Sequence, residues 1–319
     1  MQIADFRRRM REVVGAVHAG LRATRESLAG DAVTPSSQGS TLDRNSKILY
    51  AVDRTAFGLE IGPSFSPIAR KADGFSVEVI DHATADELRD KYRGHDNVDI
   101  SRIEEVDHIW RGEPLDELLG VGRHHWIIAS HVIEHIPDLI SFFRQCARLL
   151  APGGVVSLVV PDKRYCFDYF RWPTSTGDVL QAFADGRRRH PPGVVFDHVA
   201  QIVRRAQLVS WNAETMGDFT FMHGLEEAKA AFEGACQSDA YVDVHCWRFT
   251  PASFRLILTE LRLLGLFEFE EVCSFPTEGC EFFVTLRPTS ASPPQVDRMA
   301  LYHQVARELL EGLQEKGNG

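Results

Sequence analysis

A chain of 319 residues with 44% hydrophobic and 25% charged residues is composed like an ordinary globular protein, long enough for one large domain with insertions or for two smaller ones. Its formal net charge of -10 argues against a general nucleic-acid or anionic-membrane binder, because phosphate contacts need concentrated Lys and Arg. No run approaches the ~20 apolar residues of a membrane span, no apolar core follows Arg7–Arg9 as in a signal peptide, and the six cysteines form no CxxC pair, so reduced thiols in a cytoplasmic protein are expected.

Ile3, Phe6, Met10, Val13, Val14, Val17 and Leu21 recur at helical spacing and predict an amphipathic helix over about the first 28 residues. Its apolar stripe either docks on its own domain or forms a homodimer contact or a lid. A polar stretch rich in Gly, Pro and Ser over 30–46 reads as a linker, which sets residues 1–48 apart.

From residue 56 short β-rich runs alternate with helical stretches, as in parallel βαβ units. The first run is a strand over 57–61 that ends on Glu60 and a turn at Gly62. Glycine there lets the backbone approach a ligand, since no Cβ stands in the way. A dinucleotide fingerprint GxGxxG begun at Gly62 would need glycines where the chain has Ser64 and Pro67, so a pyrophosphate ligand is disfavoured. Glu60 can instead attract a cationic group. The second strand, 77–81, ends on Asp81, which could accept both hydroxyl protons of a ribose or cap the helix that starts near Thr84–Asp86. The third, 104–109, carries Asp107 at its end, and the fourth, 125–130, runs into Ser130-His-Val-Ile-Glu-His135. Leu139, Phe142, Phe143, Cys146, Leu149 and Leu150 form the apolar face of a helix that starts at Pro137-Asp138 and stops at Ala-Pro-Gly-Gly154, before a fifth strand over 155–160. Residues 163–248 break the pattern as a mainly helical, substrate-side insertion. Thr250 and Pro251 then start another helix as N-cap and first residue, strands 267–272 and 281–287 follow within 249–290, and a helix over 294–315 lies in the last segment, 291–319.

The Glu60-Ile-Gly62 turn, Asp81, Ser130-His-Val-Ile-Glu-His135 and Leu149-Leu-Ala-Pro-Gly-Gly154, in this order, resemble class I S-adenosylmethionine-dependent methyltransferases, from about residue 56 to 165 and more weakly to 287. The resemblance implies an α/β, Rossmann-like seven-stranded sheet with an antiparallel last strand, plus a helical insertion and terminal helices, with the cofactor-binding core over 49–162. It also implies S-adenosylmethionine as cofactor, whose ammonium and sulfonium would suit Glu60. Glu60, Gly62, Pro63, Ser64, Asp81, His82, Asp107 and Ser130 are the expected cofactor residues. Ser64 and Ser66 replace the family's second and third glycines, and His125 stands where its fourth strand has an Asp.

His131, Glu134 and His135 spell HxxEH, which on a helical turn would put three ligands on one face. A zinc peptidase also uses HxxEH, but here the motif follows a buried strand. The ubiquinone-biosynthesis O-methyltransferases and small-RNA 2'-O-methyltransferases have ExxEH at this place, which leaves open a divalent metal at His131, Glu134 and His135; His131 in place of Glu would favour a softer one. Direct acid-base work without metal, or mere support of the loop by His135, are the other readings. Methyl transfer asks the protein to align the acceptor and remove its proton, so His131, His135 and His245 are the candidate catalytic residues. Asp162, Lys163, Arg164 and Tyr165 leave the fifth strand at its carboxyl end as expected acceptor residues, with Lys163 and Arg164 holding a carboxylate or phosphate or forming a solvated turn. His198 and Trp247 join them; Trp247 could stack on a sugar or aromatic ring, or belong to a packed aromatic corner. Arg187-Arg-Arg-His190 reads as an exposed basic loop, or as one that engages an anionic carrier lipid or glycan.

The Asp-Lys-Arg-Tyr exit and the His245/Trp247 segment resemble methyltransferases of bacterial surface-polysaccharide synthesis. That likeness implies an O-methyltransferase acting on a sugar or polysaccharide hydroxyl, with a small-molecule or glycan as its acceptor. A non-catalytic scaffold of the same fold, and an NAD-dependent nucleotide-sugar oxidoreductase disfavoured by Ser64 and Pro67, are the competing classes.

Overall fold

Strand runs that are apolar on both faces demand a sheet covered on both sides, and the computed structural model, which describes residues 42–94 and 98–313, has one. The helix expected over the first 28 residues, and the linker up to residue 41, lie outside the described residues. The chain runs through α1 (Arg44–Ile48), β1 (Gly58–Ile61), β2 (Val77–Asp81), α2 (Ala85–Tyr92), β3 (His108–Ile109), α3 (Leu115–Leu119), β4 (His124–Ser130), α4 (Leu139–Leu149) and β5 (Leu150–Pro161). It continues as α5 (Thr176–Ala184), α6 (Pro192–Gln201), β6 (Val203–Arg205), β7 (Phe219–Phe221), α7 (Leu225–Gln237), α8 (Pro251–Leu263), β8 (Phe269–Glu278), β9 (Glu281–Pro288) and α9 (Arg298–Leu313). Seven strands form one sheet in the order β3-β2-β1-β4-β5-β9-β8, parallel from β3 to β5, with β9 antiparallel to both its neighbours. Strands β6 and β7 pair separately.

The two-residue strand period sorts the core into two layers. Leu59, Ile61, Ile127, Ala129, Val156 and Leu158 pack against Phe142, Phe143 and Cys146 of α4 and Phe254 and Ile257 of α8. Trp126, Ile128, Val155 and Val159 face Ile48 of α1 together with Ile68 and Phe283. Gly58 makes room for this second layer, because a Cβ there would lie 2.0 Å from the Trp126 indole.

Caps visible in the sequence set the helix starts. Thr84 and Glu87 close a capping box on α2, Asp138 accepts the Ser141 N–H at α4, and Thr250 accepts the Ser253 N–H with Pro251 at the first position of α8. Several elements differ from expectation, among them β8, which runs over Phe269–Glu278 instead of 267–272. The third strand shrinks from 104–109 to His108–Ile109, because the Asp107 carboxylate takes the Val79 N–H that a longer strand would have paired. The fifth begins at Leu150, with Ala-Pro-Gly-Gly154 looping out between the pairs His124–Leu150 and Trp126–Val155. The last helix spans Arg298–Leu313. Among the described residues no helix is long and apolar enough to cross a membrane.

Candidate active site

Parallel pairing brings the carboxyl ends of β1, β2, β4 and β5 to one edge of the sheet, and the strand order reverses between β1 and β4, where such sheets open a ligand crevice. Gly62 follows β1 with φ +61° and sits so close to the exit of β4 that a Cβ would come within 3.2 Å of Val132. Ser64, at the place of the family's second glycine, also takes a left-handed φ of +49°. For a residue with a Cβ that costs about 1–2 kcal/mol. Two contacts offset it: the Ser64 N–H donates to Asp81 at 2.8 Å and its hydroxyl donates to Tyr92 at 3.0 Å. Asp81 is buried and also accepts the His82 N–H at 2.7 Å, while the His82 side chain lies largely in solvent. Pro63 is buried between these glycine-like turns.

Glu60 pairs with Ile128 in register, so its side chain leaves the sheet on the Trp126–Ile128 face rather than toward the crevice. There its two oxygens accept the N–H groups of Ile68 at 2.7 Å and Ala69 at 3.0 Å. The expected cation-attracting carboxylate therefore shapes the loop from behind, and burial pushes its pKa up to about 7. Asp107 is likewise displaced from its expected place. It precedes β3, and its carboxylate is occupied by the Val79 N–H at 2.8 Å and Lys71 Nζ at 2.6 Å. The residue that follows β3 is Trp110, half-buried, whose N–H donates to the Asp81 carbonyl.

On the other side of the crevice His131 has φ +53°, and its Nδ1 lies 3.6 Å from Glu134 in the turn that follows. Its Nε2 lies 2.8 Å from Glu281, at the start of β9, and Arg44 grips the same carboxylate at 2.6 and 3.1 Å while donating to the Ser130 hydroxyl at 3.1 Å. Burial would raise Glu281, but His131 and Arg44 outweigh it and hold the pKa at about 2. Burial likewise opposes a charge on His131, yet Glu281 and Glu134 keep it above its usual value.

The 3-10 turn Ile133–His135 points Glu134 inward, fully buried, with neither carboxylate oxygen hydrogen-bonded. Its backbone carbonyl accepts the N–H groups of Cys246 at 2.7 Å and Trp247 at 3.2 Å, which fastens the returning segment against the turn. That fastening delivers His245. Its Nδ1 lies 2.5 Å from Asp168 and its Nε2 4.0 Å from Glu134, and its ring stands edge-on to His135 at 4.6 Å. Arg171 completes the support, donating to Asp168 at 2.7 Å and to the His245 carbonyl at 2.9 Å. Burial opposes ionisation of Asp168, but His245 and Arg171 hold it far below the carboxylate range. Asp243 lies 2.8 Å from His135 Nδ1; burial works against a charged His135, and the Asp243, Glu134 and Asp168 carboxylates leave its pKa raised. His198 accepts the His245 N–H at 3.3 Å; burial and the Arg171 charge lower its pKa to about 3.

The Methyltransferase domain family matches residues 56–219, just over half of the chain. The chain belongs to this family. No curated protein matches it. Solved structures similar to this methyltransferase include the DhpI–SAH complex, 15% identical over 77% of this chain and 84% of that one, with a TM-score of 0.37. Another is an S-adenosylmethionine dependent methyltransferase from Mesorhizobium loti, 14% identical over 75% and 95%, with a TM-score of 0.38. A chain from Rhodobacter sphaeroides described as a putative Zn-dependent alcohol dehydrogenase is 13% identical over 79% and 92%, with a TM-score of 0.41.

The methyltransferase gathers its histidines differently from the sequence motif. Ligand-capable atoms of Glu134, His135 and His245 lie within 4.8 Å of one another, whereas His131, although its Nδ1 lies 3.6 Å from Glu134, is not in that group and gives its Nε2 to Glu281. The metal trio expected at His131, Glu134 and His135 is corrected accordingly. Lys163 and Arg164 are buried rather than presented to an acceptor: Lys163 donates to the Tyr169 carbonyl, and Arg164 pairs with Asp162 at 2.6 Å. Asp162 also accepts the Thr277 hydroxyl, so this cluster ties the exit of β5 to β8, with Tyr165 stacked against the Arg164 guanidinium. Trp247 is a packed residue, 2% exposed, its N–H donating to the Ile136 carbonyl at 2.5 Å. Sequence reasoning missed Asp168, Arg171, Asp243, Glu281 and Arg44. The one local signal was an acidic residue two positions before His245.

Proposed function

We propose that this S-adenosylmethionine-dependent methyltransferase methylates a hydroxyl of a sugar or polysaccharide, with His245 as the base. The observation that carries the role is the buried Asp168–His245 pair. A carboxylate can only accept, so Asp168 fixes the Nδ1–H tautomer and leaves Nε2 free to take a proton. The cofactor supplies a methyl group already made electrophilic by its sulfonium. Gly62, Pro63 and Ser64 would approach it through backbone, as the missing Cβ at Gly62 permits, with Asp81 and His82 at its ribose and Ser130 at the rim of the crevice. His245 then holds the acceptor hydroxyl and accepts its proton as the oxygen takes the methyl. His135, kept in place by Asp243, orients the acceptor beside it. The saccharide rests on the likeness of the 162–165 and 243–251 segments to methyltransferases of surface-polysaccharide synthesis.

A second reading has its own observation. Glu134 is a fully buried carboxylate with neither oxygen hydrogen-bonded among the described residues, and beside it His135 and His245 are two imidazoles that each have a carboxylate behind them, the supporting arrangement of a metal site. These residues fit a divalent cation. Glu134, His135 and His245 would hold it, and it would lower the pKa of the acceptor hydroxyl. A labelled-methyl screen over sugars, phenols and amines tests the function: label on a saccharide oxygen is expected, and label on no saccharide would refute it. A chelator in the same assay decides between the readings, since loss of turnover restored by added metal favours the second.

A further inference from the structure

Behind the His245 segment, between α5, α6 and α7, lies a second cavity of about 660 Å³, a size typical of small-molecule sites. Arg171, Arg187 and Arg248 line it, with apolar wall from Val194 and Phe232. Two carboxylates, Asp178 and Asp197, also border it, but both are exposed and committed elsewhere. Asp178 caps its own helix through Ser175, and Asp197 accepts from Gln201. Of the guanidiniums, Arg187 pairs with Asp185 at 2.9 Å and Arg171 with Asp168 at 2.7 Å, which leaves Arg248 as the less satisfied one. Arg248 donates only to the backbone carbonyls of Trp172 and Cys246 and has no carboxylate within ion-pair distance among the described residues. Arg171 is 2% exposed, and its Nε is buried without a partner. Burial and the Arg171 charge weaken proton binding at Arg248, and the Asp168 and Asp178 charges offset this only in part.

We propose that this cavity binds the phosphate or carboxylate of a small-molecule ligand, with Arg248 as its principal contact and Arg187 and Arg171 completing the charge. Planar guanidiniums suit both anions, since each offers paired N–H donors to two oxygens. The site is separate from the methyl-transfer crevice, yet Arg171 touches both, donating to Asp168 and the His245 carbonyl on one side and lining the cavity on the other. The inference does not depend on the acceptor being a saccharide.

Calorimetric titration of the full chain with glucose 1-phosphate, glucuronate, inorganic phosphate and glucose tests it, with S-adenosylhomocysteine binding as the measure of an intact fold. Binding of at least one of the three anions, weakened by salt, with none of glucose, is expected; the phosphate and carboxylate arms say which anion the site prefers. Arg248→Ala should weaken that binding by about tenfold or more, the worth of a charge-assisted contact, and leave S-adenosylhomocysteine affinity unchanged. Arg187→Ala, which gives up a pair with the exposed Asp185 and no buried carbonyl contact, serves as the second variant and should weaken the same ligand. Absence of binding by every anion, or equal affinity in a folded Arg248→Ala or Arg187→Ala protein, would overturn the proposal.

Discussion

Replacing Glu60 by Gln turns a buried titrating group into a neutral one of the same shape. Glu60 is 1% exposed, and its oxygens take the Ile68 and Ala69 N–H groups at 2.7 and 3.0 Å. Burial nevertheless raises its pKa from 4.5 to about 7, against the two N–H groups that favour the anion. Between those values the folded chain keeps a proton that the unfolded chain has released. This contribution to stability is therefore complete below pH 4.5 and is lost as the pH rises to about 7; a separation of that size is worth about 3 kcal/mol. The Gln variant has no such loss, and pays about 1 kcal/mol at all pH values for turning an amide N–H toward one backbone donor. Urea denaturation of both proteins from about pH 4 to about pH 8 measures the difference, in which the titrations of His131 and His135 cancel. The variant should gain on the wild type by about 3 kcal/mol across the window. A difference that stays constant with pH would refute the claim that the fold holds Glu60 protonated.

Gly58→Ala puts a Cβ 2.0 Å from the Trp126 indole between two buried strands, and should cost about 3 kcal/mol in denaturant unfolding, the upper range for overpacking. Ser64→Gly relieves a left-handed serine but loses its bond to Tyr92, so melting should show a gain of at most about 1 kcal/mol with S-adenosylhomocysteine affinity retained. Asp168→Asn frees His245 to take the wrong tautomer and should lower kcat about 100-fold or more while leaving cofactor affinity in place. His245→Ala should match it, and unchanged turnover in either would remove His245 from the chemistry.

The fold was legible where signals were local. The glycine turn at Gly62, the β2 end at Asp81 and the capped starts of α4 and α8 each rest on residues within a few positions of one another. Strand β3 was misjudged because a single side chain, Asp107, replaces backbone pairing, which periodicity cannot register. The site was half legible. Glu134 and His135 stood out as a motif, and His245 as a lone candidate, but what sorts them is contact across long stretches of chain. His245 finds Asp168 77 residues away, and His131 finds Glu281 at a separation of 150. No spacing rule reaches that far, so the motif suggested His131 as a partner of His135, whereas the β5–β9 pairing gave it to Glu281.

Calorimetric titration of S-adenosylmethionine and NAD into the wild type and a Gly62→Val variant tests the central claim most directly. Gly62 has a left-handed φ of +61° and a Cβ there would lie 3.2 Å from Val132, so the variant should lose the cofactor while the wild type binds S-adenosylmethionine and not NAD. Binding of NAD alone, or undiminished S-adenosylmethionine binding by a folded Gly62→Val protein, would contradict the assignment of this crevice.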